Sequence, residues 1–539
     1  MSISRDTLWA QLPRTDWDII VVGGGITGAG VAREAARTGS KVLLIEQQDY
    51  AYGTSSRSSK MVHGGLRYIA MGDIRLTWHS LVERERLLNE APGLVDRMSY
   101  YFAHFDGGGI KTNRWAFYFL LMAYDFLAGI KDRGFLPKRR FLEQIPGYRD
   151  KGLQGASRYT DAVTDDTRLV VRVIDEARHD GATVINYVKA EKTLTAEGRV
   201  HGLRVRDMVT GEAAELKAKV VVNATGAWVN QLRGQVATET VSVRPQRGSH
   251  LVVPSERLPI NDAVILFHPD DQRAMFIYAW EGRTVIGTTD LDHREDLDKE
   301  SAITQDEVDY LLRAANHEFP LAALTENDVI ATFSGVRPIV SSGKGLDPSK
   351  ERRDHAVWAD NGLISVSGGK LTTFRQIAQD VLTAAETWIP ALKTRDRKAV
   401  VFTAPADLPS LPKMSADLYR RFTGKYGYLC GRFVEEMPAS ELTLIPGTQT
   451  LWAELRWALR HEQVVHLDDL MLRRTRLGLL LPQGGEGHLP AIRAIALEEG
   501  WTEARWQGEV ERYHGIWAAS YSLPSRSHEP RPAAVARAA

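Results

Sequence analysis

The sequence predicts a mixed α/β and α+β fold in three parts: a Rossmann-like nucleotide-binding domain, an antiparallel-sheet substrate domain and a C-terminal helical domain. Three observations predict it. The run Asp18-Ile-Ile-Val-Val-Gly23-Gly24-Gly25-Ile26-Thr27-Gly28-Ala29-Gly30, with Val42-Leu43-Leu44-Ile45 and an acidic Glu46 after it, reads as strand, glycine turn, helix and second strand. Leu363-Ile-Ser-Val-Ser-Gly368-Gly369-Lys370-Leu-Thr372-Thr373 repeats that logic, with a helix expected from Phe374 to Trp388. Between them, runs such as His250-Leu-Val-Val, Ala274-Met-Phe-Ile-Tyr278 and Thr284-Val-Ile-Gly-Thr288 predict an antiparallel sheet from about Gln246 to Arg337, suited to one wall of a substrate pocket.

Glycine is required at Gly23 for the tight turn, at Gly25 so that a pyrophosphate can approach the backbone, and at Gly28 so that the helix packs on the strand. The amides at the helix start, with the positive end of the helix dipole behind them, face phosphates. Glu46 lies 21 residues after Gly25, where a carboxylate accepts hydrogen bonds from an adenosine ribose. A glycine turn that merely packs is the alternative; strand, spacing and acid together favour a nucleotide.

At 539 residues the chain exceeds one ordinary core, so two or three domains are expected. The 68 basic and 68 acidic residues cancel, which argues against nucleic acid as a main partner. Cys430 is the one cysteine, so the chain builds no intrachain disulfide, four-cysteine zinc site or cysteine-ligated iron–sulfur cluster. Any one-electron carrier lies elsewhere, and no metal is expected. No apolar signal region precedes Arg14 and Asp16, so a reducing cytoplasmic setting is expected.

No window holds the ~18 apolar residues of a membrane-crossing helix. The nearest is Trp115 to Tyr124, which Asp125 separates from Phe126-Leu-Ala-Gly-Ile130, with Lys111 and Arg114 before it and Lys131, Arg133, Lys138, Arg139 and Arg140 after. Basic flanks around an aromatic-rich segment fit a helix lying in a bilayer surface. A buried helix of a cap domain is the preferred reading, because apolar helices are mostly core.

Further along, Thr54 to Tyr68 is polar and glycine-rich and reads as a loop, not as helix or strand. Helices are expected at about 74–93 and at 166–178, then a strand at 181–188 and a small hairpin from 203–209 and 214–218. Val220-Val-Val-Asn223-Ala-Thr225-Gly226-Ala-Trp228 reads as a buried strand ending in a small-residue turn. Domain limits follow: 16–75, 160–235 and 330–400 for the nucleotide domain, 76–159 and 236–329 for the substrate domain, a proline-rich linker at 401–412, helices at 413–523 and a disordered tail at 524–539.

Six separated motifs then carry a resemblance. Gly23–Gly28 with Glu46, Ser58-Ser59-Lys60-Met-Val-His63-Gly64-Gly65-Leu-Arg67-Tyr68, Asn223-Ala-Thr225-Gly226, Gly287-Thr288-Thr289-Asp290, Ser334-Gly335-Val-Arg337-Pro338 and Gly368-Gly369-Lys370-Leu-Thr-Thr together resemble the FAD-dependent glycerol-3-phosphate dehydrogenases. The likeness runs from about residue 16 to 520 and includes Leu472-Arg473-Arg474-Thr475-Arg476. It implies a D-amino-acid-oxidase type substrate domain, FAD as cofactor, oxidation of sn-glycerol 3-phosphate to dihydroxyacetone phosphate, electron delivery to a membrane quinone, peripheral attachment to the inner face of the cytoplasmic membrane and a homodimer. It implies FAD contacts at Gly23, Gly25, Ile26, Thr27, Gly28, Glu46, Thr54, Ser55, Ser58, Ser59, Lys60, His63, Gly64, Gly65, Val188, Ala224, Thr225, Gly226, Gly335, Gly369, Lys370, Leu371 and Thr372. An oxygen-using glycerol-3-phosphate oxidase, an amine or amino-acid oxidase on the same fold, and a non-catalytic flavoprotein are the rivals.

The chemistry asks for the same residues. Oxidising a secondary alcohol moves a hydride to the flavin and a proton to a base while a phosphate dianion is held in place. Arg67, Arg337 and Lys370 sit in glycine-containing turns and supply the cations, with Tyr68 and Thr288 beside them; a guanidinium binds phosphate through two parallel hydrogen bonds. For the base, His63 and His250 are candidates because an ordinary imidazole titrates near neutrality; an arginine-activated water or Tyr68 is the third possibility.

Overall fold

The computed structural model describes residues 4–70, 72–107, 113–237, 243–340, 354–405 and 414–524. Two sheets organise them. In the first, the strand Asp16–Val22 lies between Ala213–Asn223 and Val42–Ile45, parallel to both. Thr183–Ile185 continues the sheet beyond Val42–Ile45, and Leu363–Gly368 beyond Ala213–Asn223, again in parallel. Ile19, Ile20, Val21, Leu43 and Leu44 are wholly buried, because both faces are covered. Helices Ile26–Ala36, Asp166–His179 and Phe374–Ala385 cover one face. The strands Val188–Ala196 and Arg199–Asp207, with Trp9 and Trp17, cover the other.

Two expectations change here. The stretch 181–188 is not one strand: Tyr187 takes a positive φ of 55°, and the chain turns there from Thr183–Ile185 into Val188–Ala196, which pairs with Arg199–Asp207. The second arm of the expected hairpin and the buried strand after it are one element, Ala213–Asn223, whose first half pairs with Arg199–Asp207 and whose second half joins the parallel sheet.

The second sheet has ten strands and is largely antiparallel. Its long strand Val243–Pro254 pairs along one side with Ala331–Val340, and along the other with Arg283–Gly287 and Leu291–Asp292. The stretch expected as a loop after Thr54 contains a strand, Met61–Val62, which adds to Leu153–Thr164, and a helix, Leu66–Ala70. Gly65, at φ 82°, makes the turn between them possible.

Helices Ile74–Glu90 and Arg114–Ala128 pack beside that turn. The apolar segment is buried on one face only. Phe117, Leu121 and Tyr124 face inward, whereas Trp115, Tyr118, Phe119, Met122 and Phe126 are exposed, Phe126 by 86%. The expectation of a buried cap helix is therefore corrected to an amphipathic one. Among the described residues no helix is long and apolar enough to cross a membrane.

Beyond Ser415 the chain is helical, with helices including Ala416–Tyr426, Trp452–His461, Leu489–Glu498 and Glu503–Ser520. It docks on the rest through buried ion pairs. Arg473 and Arg474 both donate to Asp49 at 2.7 Å, and Arg476 reaches Asp165 at 3.1 Å as well as Asp166. Most of the proline-rich linker and the tail after Pro524 lie outside the described residues.

Candidate functional site

A cleft opens where the parallel strands of the first sheet end. It is lined by Gly23, Gly25, Ile26 and Thr27, by Glu46, by Thr54, Ser55 and Ser58, by Val188, by Ala224, Thr225 and Gly226, and by Gly369, Lys370 and Leu371. Tyr52, Trp228, Gln231 and Pro338 also line it, and none of the four was among the expected cofactor contacts. The turn Asn223 to Trp228 was the available signal for the tryptophan.

Sheet order gives the cleft its length. The ends of Val42–Ile45, Asp16–Val22, Ala213–Asn223 and Leu363–Gly368 stand side by side, and a spacing of about 4.8 Å per strand puts ~14 Å between the outer two. The two glycine-rich turns therefore flank one elongated cavity. Gly23 has φ 113°, and a Cβ there would stand 2.6 Å from the Ala224 carbonyl; a Cβ on Gly28 would stand 1.9 Å from the Gly23 carbonyl. Gly28 is thus a packing glycine behind the cleft. At Gly25 only the Ser55 side chain lies near, at 3.2 Å, so the backbone is open to a ligand. The Glu46 carboxylate accepts from the amides of Gly24 at 2.7 Å and Gln48 at 2.9 Å, and burial raises its pKa in spite of them. A long dinucleotide with a ribose at Glu46 and a ring system toward Lys370 fits these residues.

Beyond the cleft the polar side chains pair with one another. Lys60, expected as a flavin contact, has its Nζ engaged inside the fold: it is buried, 2.9 Å from Asp166 and 2.9 Å from the Ser56 carbonyl, and burial lowers its pKa to about 8. Asp166 also accepts from the amide and hydroxyl of Ser58, at 3.0 and 2.7 Å. The ammonium lies 4.4 Å from the centre of the Phe333 ring, and that ring stacks on His250 at 4.4 Å. Ser59 Oγ is 2.9 Å from His250 Nε2. His250 is wholly buried, and burial first, then the charges of Arg337 and Lys60, push its pKa well below the ordinary imidazole value. It is a neutral ring sealed behind Ser59.

His63 is half-buried, and its amide donates to Thr372 Oγ1 at 3.2 Å. Gly64 lies away from the cleft under Leu81 and donates to Tyr124 Oη at 3.0 Å, so its role is packing. Gly335 likewise permits close approach, since a Cβ would stand 2.4 Å from the Arg57 carbonyl. Lys370 Nζ lies 3.8 Å from the centre of the Tyr68 ring and donates to Ser80 Oγ at 3.1 Å, with Gly65 beneath. The Arg337 guanidinium passes over Gly248 and donates to Asp290 and Thr288 Oγ1, each at 3.2 Å; Asp290 also receives Arg273 at 2.8 Å. Arg67 falls in the helix Leu66–Ala70, and its side chain lies outside the described residues.

Residues 18–375 match the family described as FAD dependent oxidoreductase, and residues 364–506 match the C-terminal domain of alpha-glycerophosphate oxidase. The aerobic glycerol-3-phosphate dehydrogenase of Staphylococcus haemolyticus is 30% identical over 505 residues, which is 88% of this chain and 89% of that one. The enzyme of the same name from Bacillus subtilis is 36% identical over 386 residues, 71% of this chain and 69% of that one. Among solved structures, the glycerol-3-phosphate dehydrogenase from Bacillus halodurans complexed with FAD aligns over 95% of this chain and 97% of its own, at 28% identity and a TM-score of 0.75.

Proposed function

The chain belongs to the FAD-dependent glycerol-3-phosphate dehydrogenases, and on that premise we propose that it oxidises sn-glycerol 3-phosphate to dihydroxyacetone phosphate and hands the electrons to a respiratory quinone. FAD bound in the cleft supplies the hydride acceptor. The observation that carries the reading is the arrangement at Lys370. That lysine lines the cleft and leans on Tyr68, and both stand against Gly65, two residues after His63. Lys370 and Arg337 hold the phosphate and orient the carbinol carbon, and Thr288 and Asp290 fix the guanidinium. His63 takes the hydroxyl proton. His250, neutral and enclosed, instead holds Ser59 in place.

Membrane attachment is supported by the outer face of the same helices. Ile74, Trp78 and Val82 are exposed on Ile74–Glu90, next to the exposed aromatic face of Arg114–Ala128, and Arg139 and Arg140 project nearby in sequence. Ser80, on the inner face of Ile74–Glu90, touches Lys370. One helix thus lies between the proposed lipid surface and the redox site, a short path for a quinone.

Adding glycerol 3-phosphate to the purified holoenzyme without oxygen tests the activity. Bleaching of the visible flavin band is the expected result; an unbleached flavin, or bleaching by amino acids instead, overturns it. Stoichiometric hydrogen peroxide in air, with activity wholly in the soluble fraction, overturns the quinone.

A further inference from the structure

Gln246 has no place in the scheme so far, yet its surroundings are unlike those of its neighbours. It lies on the strand Val243–Pro254, four residues before His250 and two before Gly248, so the period of two puts the three on one face. Directly across the ladder from it is Arg337, as Gly335 is across from Gly248 and Phe333 from His250. Gln246 therefore shares the face that carries the proposed phosphate ligand and the sealed imidazole.

The opposite face of the strand is largely paired, with only Arg247 Nε left without a partner. Ser249 donates to Glu307 at 2.8 Å and bonds Ser334 at 2.7 Å, and Arg247 pairs with Glu295 and Glu307, each at 3.0 Å. Gln246 is completely buried, and neither its Nε2 nor its Oε1 has a hydrogen-bond partner. Buried carboxamides are almost always paired. An apolar residue would fill this position without that cost.

We propose that Gln246 is a specificity-determining residue that recognises the terminal hydroxyl of the substrate. This rests on the reading of the site as a glycerol 3-phosphate oxidising one. The chemistry selects the hydroxyl over the phosphate: a carboxamide offers a donor group and an acceptor group, and a hydroxyl is both acceptor and donor, whereas a phosphate dianion only accepts. With Arg337 on the phosphate, the residue beside it reaches the rest of a three-carbon substrate. A site that leaves both carboxamide atoms unpaired discriminates strongly against an analogue lacking the hydroxyl.

The test compares glycerol 3-phosphate with 1,2-propanediol 1-phosphate, which lacks that hydroxyl, in the wild-type holoenzyme and in Gln246→Met, whose side chain has nearly the same length and no hydrogen-bonding amide. Wild type is expected to prefer glycerol 3-phosphate by about a hundredfold or more in kcat/KM, and Gln246→Met to bring the ratio to within about threefold of unity, with an unchanged flavin spectrum. Gln246→Leu provides the same comparison if the methionine variant is poorly soluble. A preference that survives the substitution, or equal losses on both compounds, overturns the assignment alone. A wild-type flavin that glycerol 3-phosphate fails to bleach overturns the activity and this assignment with it.

Discussion

The two ends of the cleft are built in different ways. At the Glu46 end, recognition comes from backbone: Gly23 and Gly28 are fixed by contacts with main-chain carbonyls, and Glu46 is fixed by two amides. Beyond the other end, order comes from side chains drawn from the whole chain and paired with one another, as in Lys60 with Asp166 and Arg476, or Arg337 with Thr288 and Asp290. The difference shows which parts of such a site tolerate change. A backbone cradle fails all at once when a methyl group enters it, whereas a side-chain network loses its function one contact at a time.

The sharpest break is therefore at Gly28. Gly28→Ala is expected to yield colourless or insoluble protein, because the new Cβ would stand 1.9 Å from a carbonyl oxygen that cannot move without the strand. Gly25→Ala meets only the Ser55 hydroxyl at 3.2 Å, so it is expected to fold and to retain less FAD. The flavin-to-protein absorbance ratio separates them. Equal flavin content in both variants would remove the distinction drawn between the ends.

Arg476→Met tests the other construction. It takes a guanidinium away from buried Asp165 and Asp166, and a loss of roughly 3–5 kcal/mol in stability is expected, read as a lower Tm with bound FAD. The loop that Asp166 holds through Ser58 lines the cleft, so flavin affinity is expected to fall as well. An unchanged Tm would mean that the cluster contributes little to holding the C-terminal helices.

Asp290→Asn is milder. It keeps the shape and removes the charge that orients Arg337 and Arg273, so KM for glycerol 3-phosphate is expected to rise about tenfold, or ~1.4 kcal/mol, with flavin content intact. An effect on kcat alone would place the aspartate in the chemical step instead of in binding.

The same contrast explains what was legible in the sequence. The Glu46 end could be read from Gly23, Gly28 and one acid because each requirement is local to a turn. The far end could not. Lys60 stands among serines in a polar stretch that looks solvated, and only the fold brings Asp166 and Arg476 to it. His250 resembles any candidate base until Phe333 and Ser59 close around it. The apolar segment after Arg114 was read by composition, and composition does not say that half of a helix is left uncovered. The turn at Tyr187 carries no local signal, because a tyrosine is not a residue type that marks a positive φ.

The smallest effect lies behind the second glycine turn, where His355 pairs with Gly368 across the ladder and stands between two carboxylates. Its Nε2 is 2.9 Å from Asp380, and its Nδ1 is 3.2 Å from Asp354. Burial alone would lower its pKa, but the hydrogen bonds and charges of Asp354 and Asp380 outweigh it and bring the value to about 9. Because the folded value exceeds that of an unfolded histidine near 6.5, protonated His355 stabilises the fold fully below about pH 6.5, and the contribution fades as pH rises through about 9. Asp380 is partly exposed, so the pair is worth no more than about 1 kcal/mol. Asp380→Asn should therefore lower Tm by a few degrees at most at pH 6, and the two proteins should converge at pH 10. A difference that instead grows with pH would mean that the imidazole is neutral in the folded protein, and that this side-chain cluster is held by packing and not by charge.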